Sequence, residues 1–251
     1  MVLNILFVGT AGSGKTTLTS AFGSWLEEHM ATHADSVNLD AGCRSLPYKP
    51  NFDIRTLFTV DELMEKEGLG PNGAIIRASE LMGDHAEAIV KQISMLPSEI
   101  RLIDTPGQIE IFVFRPAGPA VIKSLRSIGS TVVVYLVDPA LASTASDLVV
   151  GLSLAMATQL RLDVPTVTAL SKSDKLKISD VDQLLTDPSY LQERVVEERM
   201  GTIVDLSMHY INAMKELSKF HRVPRVSAKT GEGLETLYDL CREAFCVCGE
   251  L

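Results

Sequence analysis

At 251 residues the chain suits one α/β domain, or one domain carrying a sizeable insertion, and it can bury a full core. Its 23 Lys and Arg against 32 Asp and Glu give a net charge of −9, which argues against direct nucleic-acid binding, because tracking a phosphate backbone needs a basic stripe to release counterions. Cys43, Cys241, Cys246 and Cys248 form no C-x-x-C pair, so neither a zinc site nor a disulfide framework is supported, and reduced thiols in a cytoplasmic protein are expected.

The chain opens on a strand pattern, Val2 to Val8, followed by an amphipathic stretch, Lys15 to Met30. Further buried-strand patterns lie at Ser36 to Leu39, Ile100 to Ile103, Thr131 to Val137, Val164 to Leu170 and Val223 to Val226. Helical patterns fall between most of them, at Pro116 to Ser127, Ser143 to Leu160 and Gly231 to Phe245. In the last of these Cys241 is expected to share a face with Cys248, seven residues on. The alternation predicts an α/β architecture, a mostly parallel sheet with helices on both faces. Asn51 to Ser98 and Lys175 to Arg222 are too long for simple crossovers and carry helical periodicity, so both read as structured insertions at about 51–98 and 175–222 of a single domain, 1–251. Within the second, Tyr190 to Phe220 mixes apolar residues with Glu and Arg, a pattern open to a lid, a docking face or a helix covering its own core. No stretch approaches the ~20 apolar residues of a membrane span, so no membrane association is expected.

The run Gly9-Thr10-Ala11-Gly12-Ser13-Gly14-Lys15-Thr16 fits G-x-x-x-x-G-K-[ST] at every fixed position. Glycines let the backbone curl so that successive N–H groups face phosphate oxygens, and the anion then sits at a helix N-terminus. Lys15 would bring positive charge to the β- and γ-phosphates, the Thr16 hydroxyl would ligate Mg²⁺, and Thr17 continues the motif. Strand, loop and helix in this order predict a three-layer P-loop NTPase fold.

Asp104-Thr105-Pro106-Gly107-Gln108 follows a strand and matches the D-x-x-G-Q element of GTPases. Asp104 can hold Mg²⁺ through water, Gly107 can offer its N–H to a γ-phosphate, and Gln108 can orient an attacking water. Ser171-Lys172-Ser173-Asp174 and Ser227-Ala228-Lys229 each follow a strand pattern and resemble the N-K-x-D and S-A-K elements of GTPases. An ionised Asp174 can accept from guanine N1–H and the exocyclic amino group together, a donor pair adenine lacks on that edge. The Lys172 stem could cover the base and the Ala228 N–H could reach guanine O6; a charged surface turn is the other reading of Lys172 and Asp174. Ser171 stands where the pattern has Asn, and a hydroxyl cannot bridge as far as a carboxamide. Asp40, after Val37-Asn38-Leu39, could assist Mg²⁺ or accept a proton from water, or could be a turn or N-cap aspartate.

Gly70-Pro71-Asn72 stands between the helical patterns Asp61 to Glu67 and Ile75 to Met82 and reads by itself as a turn. Together with the phosphate loop, Asn38-Leu39-Asp40, Asp104 to Glu110 and Ser227-Ala228-Lys229, it makes the whole chain resemble the GPN-loop GTPases. That resemblance implies a GTP/GDP-binding, Mg²⁺-dependent hydrolase. It also implies a homodimer or heterodimer whose inserts reach the opposite subunit's phosphates, so that Asn72 acts in trans and Gln108 and Glu110 lie near the attacking water, a solvated residue of the switch being the other reading of Glu110. A protein client, with RNA polymerase assembly as the process, is implied as well. The alternative is a nucleotide-gated assembly scaffold with negligible hydrolysis. Thr10 stands where a related class of dimeric ATPases carries an extra lysine, which counts against an ATPase.

Overall fold

The computed structural model describes residues 2–176, 179–198, 201–216 and 222–247. Five of the expected strands form: β1 (Leu3–Gly9), β2 (Ala34–Asn38), β4 (Ile100–Asp104), β5 (Ser130–Val137) and β6 (Thr166–Leu170). A two-residue strand, β3 (Phe52–Asp53), which is too short for any periodicity to reveal, completes a six-stranded sheet in the order β3-β2-β4-β1-β5-β6. Every pairing is parallel.

Val223 to Val226 does not join as a strand. It makes one isolated bridge, Arg225 opposite Leu170, with Leu170 N–H donating to Pro224 O and Val226 N–H donating to Leu170 O. Pro224 has no N–H to extend the ladder, so its β-branched neighbours cannot make a regular edge strand.

All seven residues of β1 are buried, as an interior parallel strand requires. Leu3, Ile5 and Phe7 face a layer built by α1 (Lys15–Met30) and α11 (Leu234–Val247), where Phe7 meets Phe22 edge-on at 6.0 Å. Leu6 and Val8 face the opposite cluster. That layer takes apolar residues from α2 (Val60–Glu67), α3 (Pro71–Asp84), α4 (Ala86–Ser94), α5 (Ile109–Phe112), α6 (Ala117–Arg126) and α7 (Ala145–Leu162). It also takes them from α8 (Val181–Thr186), α9 (Pro188–Glu198) and α10 (Thr202–Glu216). The result is the expected three-layer α/β fold.

Segment 51–98 thus holds β3, a 3₁₀ turn and α2 to α4, and segment 175–222 holds α8 to α10. Both carboxylate oxygens of Glu198 on α9 accept from the first N–H groups of α7, from Ala145 at 2.9 Å and Ser146 at 2.8 Å, so a side chain of the second segment caps a helix of the same layer. Parts of the Tyr190 to Phe220 stretch, 199–200 and 217–220, lie outside the described residues, as does Cys248. Cys241 is fully buried, and its thiol is pushed up to about 12 by that burial. Among the described residues no helix is long and apolar enough to cross a membrane.

Candidate nucleotide-binding site

The sheet order sets β1 between β4 and β5, so the loop after β1 lies at the point where the chain turns from one half of the sheet to the other, the position where open α/β sheets bind ligands. Gly9 closes β1 where a Cβ would come within 2.7 Å of Leu136 O and of Ser13 Oγ, so only glycine lets the loop leave beside β5. Gly14 caps α1 at φ 95°, a left-handed conformation that glycine adopts without strain. No side chain caps α1 and no acidic residue occupies its first turn, which leaves the helix N-terminus open to an anion. Lys15 is buried, and its Nζ donates to Gly9 O (2.9 Å), Thr10 O (2.8 Å) and Gly107 O (3.3 Å). Burial pulls its pKa down to about 8, against the opposing pull of Asp104 and Asp40.

Asp104 ends β4 beside Phe7, and Thr105 Oγ1 donates to Phe7 O at 2.7 Å, fixing this loop to β1 just before the phosphate loop. Asp104 is fully buried and its carboxyl is pushed up to about 6, because desolvation outweighs the Thr16 and Tyr48 hydroxyls that stabilise its charge. Tyr48 OH donates to Asp104 Oδ2 at 3.2 Å, whereas Oδ1 is buried with no partner. Asp40 Oδ1 accepts from Gly42 N–H at 2.9 Å, the turn role, and burial also raises its pKa while Lys15 opposes the rise. Asp40 thus combines a turn bond with a place beside Lys15 and Asp104. An orphaned carboxylate oxygen, a second desolvated carboxylate and the Thr16 hydroxyl form the hard oxygen donor set that Mg²⁺ favours, so these residues fit that ion. Ser13 Oγ is also buried and unpartnered within the loop.

Gln108 precedes α5 and, with Gly107, Asp40 and Ala11, lines a cleft of about 170 Å³ to which Ile75, Ala78 and Met82 of α3 also contribute. Glu110 stands exposed on α5 and lines neither this cleft nor the next.

The base-side elements converge on a cleft of about 340 Å³ lined by Ser13, Gly14, Thr17, Ser171, Lys172, Asp174, Ala228 and Lys229, among others. Ser227, fully buried, donates its hydroxyl to Asp174 Oδ1 at 2.7 Å and accepts from Lys229 and Thr230 N–H, tying the two loops together. That bond holds the Asp174 carboxyl below its usual range, so it stays ionised. Ser171 Oγ donates to Val137 O at 3.0 Å, and Lys172 Nζ donates to Gly12 O and to Asp138 Oδ2, the latter at 2.7 Å.

Gly70-Pro71-Asn72 is not a free turn between two helices. Gly70 is the N-cap of α3, Pro71 its first residue and Asn72 its second, because proline's fixed φ suits the first helical turn and its missing N–H costs nothing there. All three residues are exposed.

A family profile described as "Conserved hypothetical ATP binding protein" matches residues 7–247. The GPN-loop GTPase PAB0955 of Pyrococcus abyssi is 37% identical, over 98% of this chain and 99% of its own length. The chain belongs to the GPN-loop GTPase family. GPN-loop GTPase 1 of Saccharomyces cerevisiae is 28% identical over 92% of this GPN-loop GTPase, which spans 63% of the yeast protein. The crystal structure of PAB0955, a GTPase in apo form, matches at a TM-score of 0.86 and 36% identity over 98% of both chains.

Two residues of this GPN-loop GTPase that touch the site escaped sequence reading. Asp138 directly follows the Thr131 to Val137 pattern, the same strand-end position that singles out Asp40 and Asp104, so a signal for it existed. Tyr48 lies in an irregular loop where no spacing marks it.

Proposed function

We propose that this GPN-loop GTPase is a single-domain, cytoplasmic homodimer that binds GTP and hydrolyses it to GDP and phosphate, with the Gly70-Pro71-Asn72 corner of each subunit meeting the phosphates bound by the other. The observation that carries the base assignment is Asp174, an ionised carboxylate held by Ser227 on the wall of a cleft that begins at Ser13 and Gly14. It can accept guanine's two adjacent donors, while Ala228 N–H donates to O6. Gly12, Ser13, Gly14, Thr17 and Gly107 would face the phosphates. Thr16, Asp40 and Asp104 would hold Mg²⁺, which when bound neutralises the charge gathering on the phosphate oxygens. Lys15 adds positive charge at the same place, and Gln108 orients the attacking water beside Asp40, which can take its proton. The exposed corner supports the trans arrangement: Gly70 has φ −72°, and a Cβ there would meet nothing within 4 Å, so nothing inside the chain calls for glycine. A closely approaching second molecule would. A protein client, in RNA polymerase assembly, completes the reading by family resemblance.

Steady-state turnover with GTP is expected to exceed that with ATP by at least about 100-fold, because adenine lacks the donor pair that the Asp174 carboxylate accepts. Comparable ATP turnover would overturn the guanine assignment.

Gln108→Ala and Asn72→Ala are each expected to keep GTP affinity and to lose about 10²–10³ in kcat, the cost of one well-placed polar group at developing charge. Mixing Asn72→Ala with Lys15→Met protein should restore part of the activity, since one subunit then keeps its phosphate loop and the other its Asn72. No restoration on mixing would place Asn72 in cis.

A further inference from the structure

The base loop and the phosphate loop must keep a fixed spacing, because one nucleotide has to satisfy both. In the N-K-x-D pattern an Asn carboxamide would occupy position 171 and could reach across; here Ser171 turns away from the phosphate loop. Its hydroxyl and its N–H both donate to Val137 O, at 3.0 and 2.9 Å, so they bind this loop to the end of β5. What crosses the gap is Lys172. Its backbone sits at φ 50°, ψ 46°, in the left-handed region that a non-glycine residue occupies at a cost of about 1 kcal/mol. From there its stem passes over Gly14, where a Cβ would lie 3.5 Å from Lys172 Cε, and its Nζ ends between Gly12 O and Asp138 Oδ2.

Asp138 is built to hold that ammonium. It follows β5 and uses its other oxygen, Oδ1, to accept from Ala140 N–H at 2.9 Å, capping the 3₁₀ turn Pro139–Ala142. The carboxylate is thereby fixed in orientation before Lys172 arrives. The pair is only part-exposed, with side-chain exposures of 31% for Lys172 and 18% for Asp138, so its attraction is screened less than that of a surface ion pair.

We propose that Asp138 is a positioning residue for guanine-nucleotide affinity: it clamps Lys172 against the Gly12 carbonyl, and this clamp takes over the bridging between base loop and phosphate loop that Ser171 does not supply. The inference rests on the reading of the Ser171–Asp174 loop as the base-binding element. Asp138 touches neither base nor phosphate; it acts through Lys172.

Asp138→Asn is the discriminating change, since the amide oxygen can still cap Ala140 N–H while the amino group faces the Lys172 ammonium donor to donor. Dissociation of fluorescent mant-GDP from the full chain is expected to speed up about tenfold, the weight of one charge-assisted hydrogen bond. GTP turnover should show a raised KM with kcat unchanged, and the melting temperature should hold. Lys172→Met should produce a similar acceleration, and the double variant should be no worse than either single one, because both remove the same clamp. Asp138→Glu should recover part of the retention. Unchanged mant-GDP dissociation in Asp138→Asn, or effects that add in the double variant, would overturn the proposal. Displacement of mant-GDP from the wild-type chain by ATP as readily as by GTP would instead overturn the guanine reading, so the two failures are distinguishable.

Discussion

Lys15→Met is expected to lower GTP affinity at least about 100-fold and to bring hydrolysis to background. The lysine is buried, and its Nζ touches the two carbonyls of the phosphate loop and Gly107 O of the segment after β4. It therefore ties together the two loops that the proposed reading sets against the phosphates. Desolvation already presses on its charge, as its pKa near 8 records, so an arriving triphosphate relieves a cost the protein bears. A methionine keeps the volume and apolar stem but leaves the phosphate charge without its counterion, and a missing donor of this kind costs about 10²–10³ in rate before the loss of binding is counted. Isothermal titration with GTP, beside single-turnover hydrolysis, separates the two losses. A Lys15→Met protein that binds GTP as the wild type does would mean that the helix N-terminus alone grips the phosphates.

Gly233→Ala is expected to destabilise the fold by about 2–5 kcal/mol, a large share of the ~5–15 kcal/mol available to such a domain. Gly233 lies at φ 72° immediately before α11, and a Cβ there would fall on the carbonyl oxygen of Arg225. Positive φ costs an alanine about 1–2 kcal/mol and overpacking against backbone about 1–3 kcal/mol more. Backbone cannot step aside here, because Arg225 makes the one bridge that attaches this segment to β6. Urea unfolding should show a lower midpoint with an unchanged slope. Gly231→Ala serves as the internal control: at φ 78° but with nothing within 4 Å of its Cβ, it should lose only the backbone part. Equal losses at the two positions would show that packing against Arg225 is not the cause.

How legible this was in the sequence differs from element to element. Lys15–Met30 could be bounded without error, since the phosphate loop marks its start and the apolar pattern its length. Phe52–Asp53 could not be found, because two residues carry no period, and its pairing to β2 is a tertiary event. Val223 to Val226 misled in the opposite way: its β-branched residues read as a strand, yet Pro224 withholds the donor that a strand would need. At the candidate site, the structure brings together residues that local spacing marks, Lys15 and Asp104 beside each other and Asp174 on the neighbouring cleft. Those recruited from irregular loops, such as Tyr48 on Asp104, carry no such mark, because their placement depends on how distant segments fold over one another. The corner at Gly70 was readable as a motif, but its form as a helix start was hidden, because glycine and proline mark turns and helix N-termini alike.

The strand order also divides the work that the proposed function assigns to this site. Starting from β1, on one side β4 ends in Asp104 and β2 leads into Asp40, while on the other β5 leads into Asp138 and β6 into the Ser171–Asp174 loop. On the proposed reading, the phosphate side and the base side are therefore built from different stretches of chain, which share β1 and the loop that follows it. If the proposed roles hold, taste for a base and the power to cleave a phosphoanhydride are separately heritable: substitutions beyond β5 would retune the one while the β4 and β2 side keeps its shape.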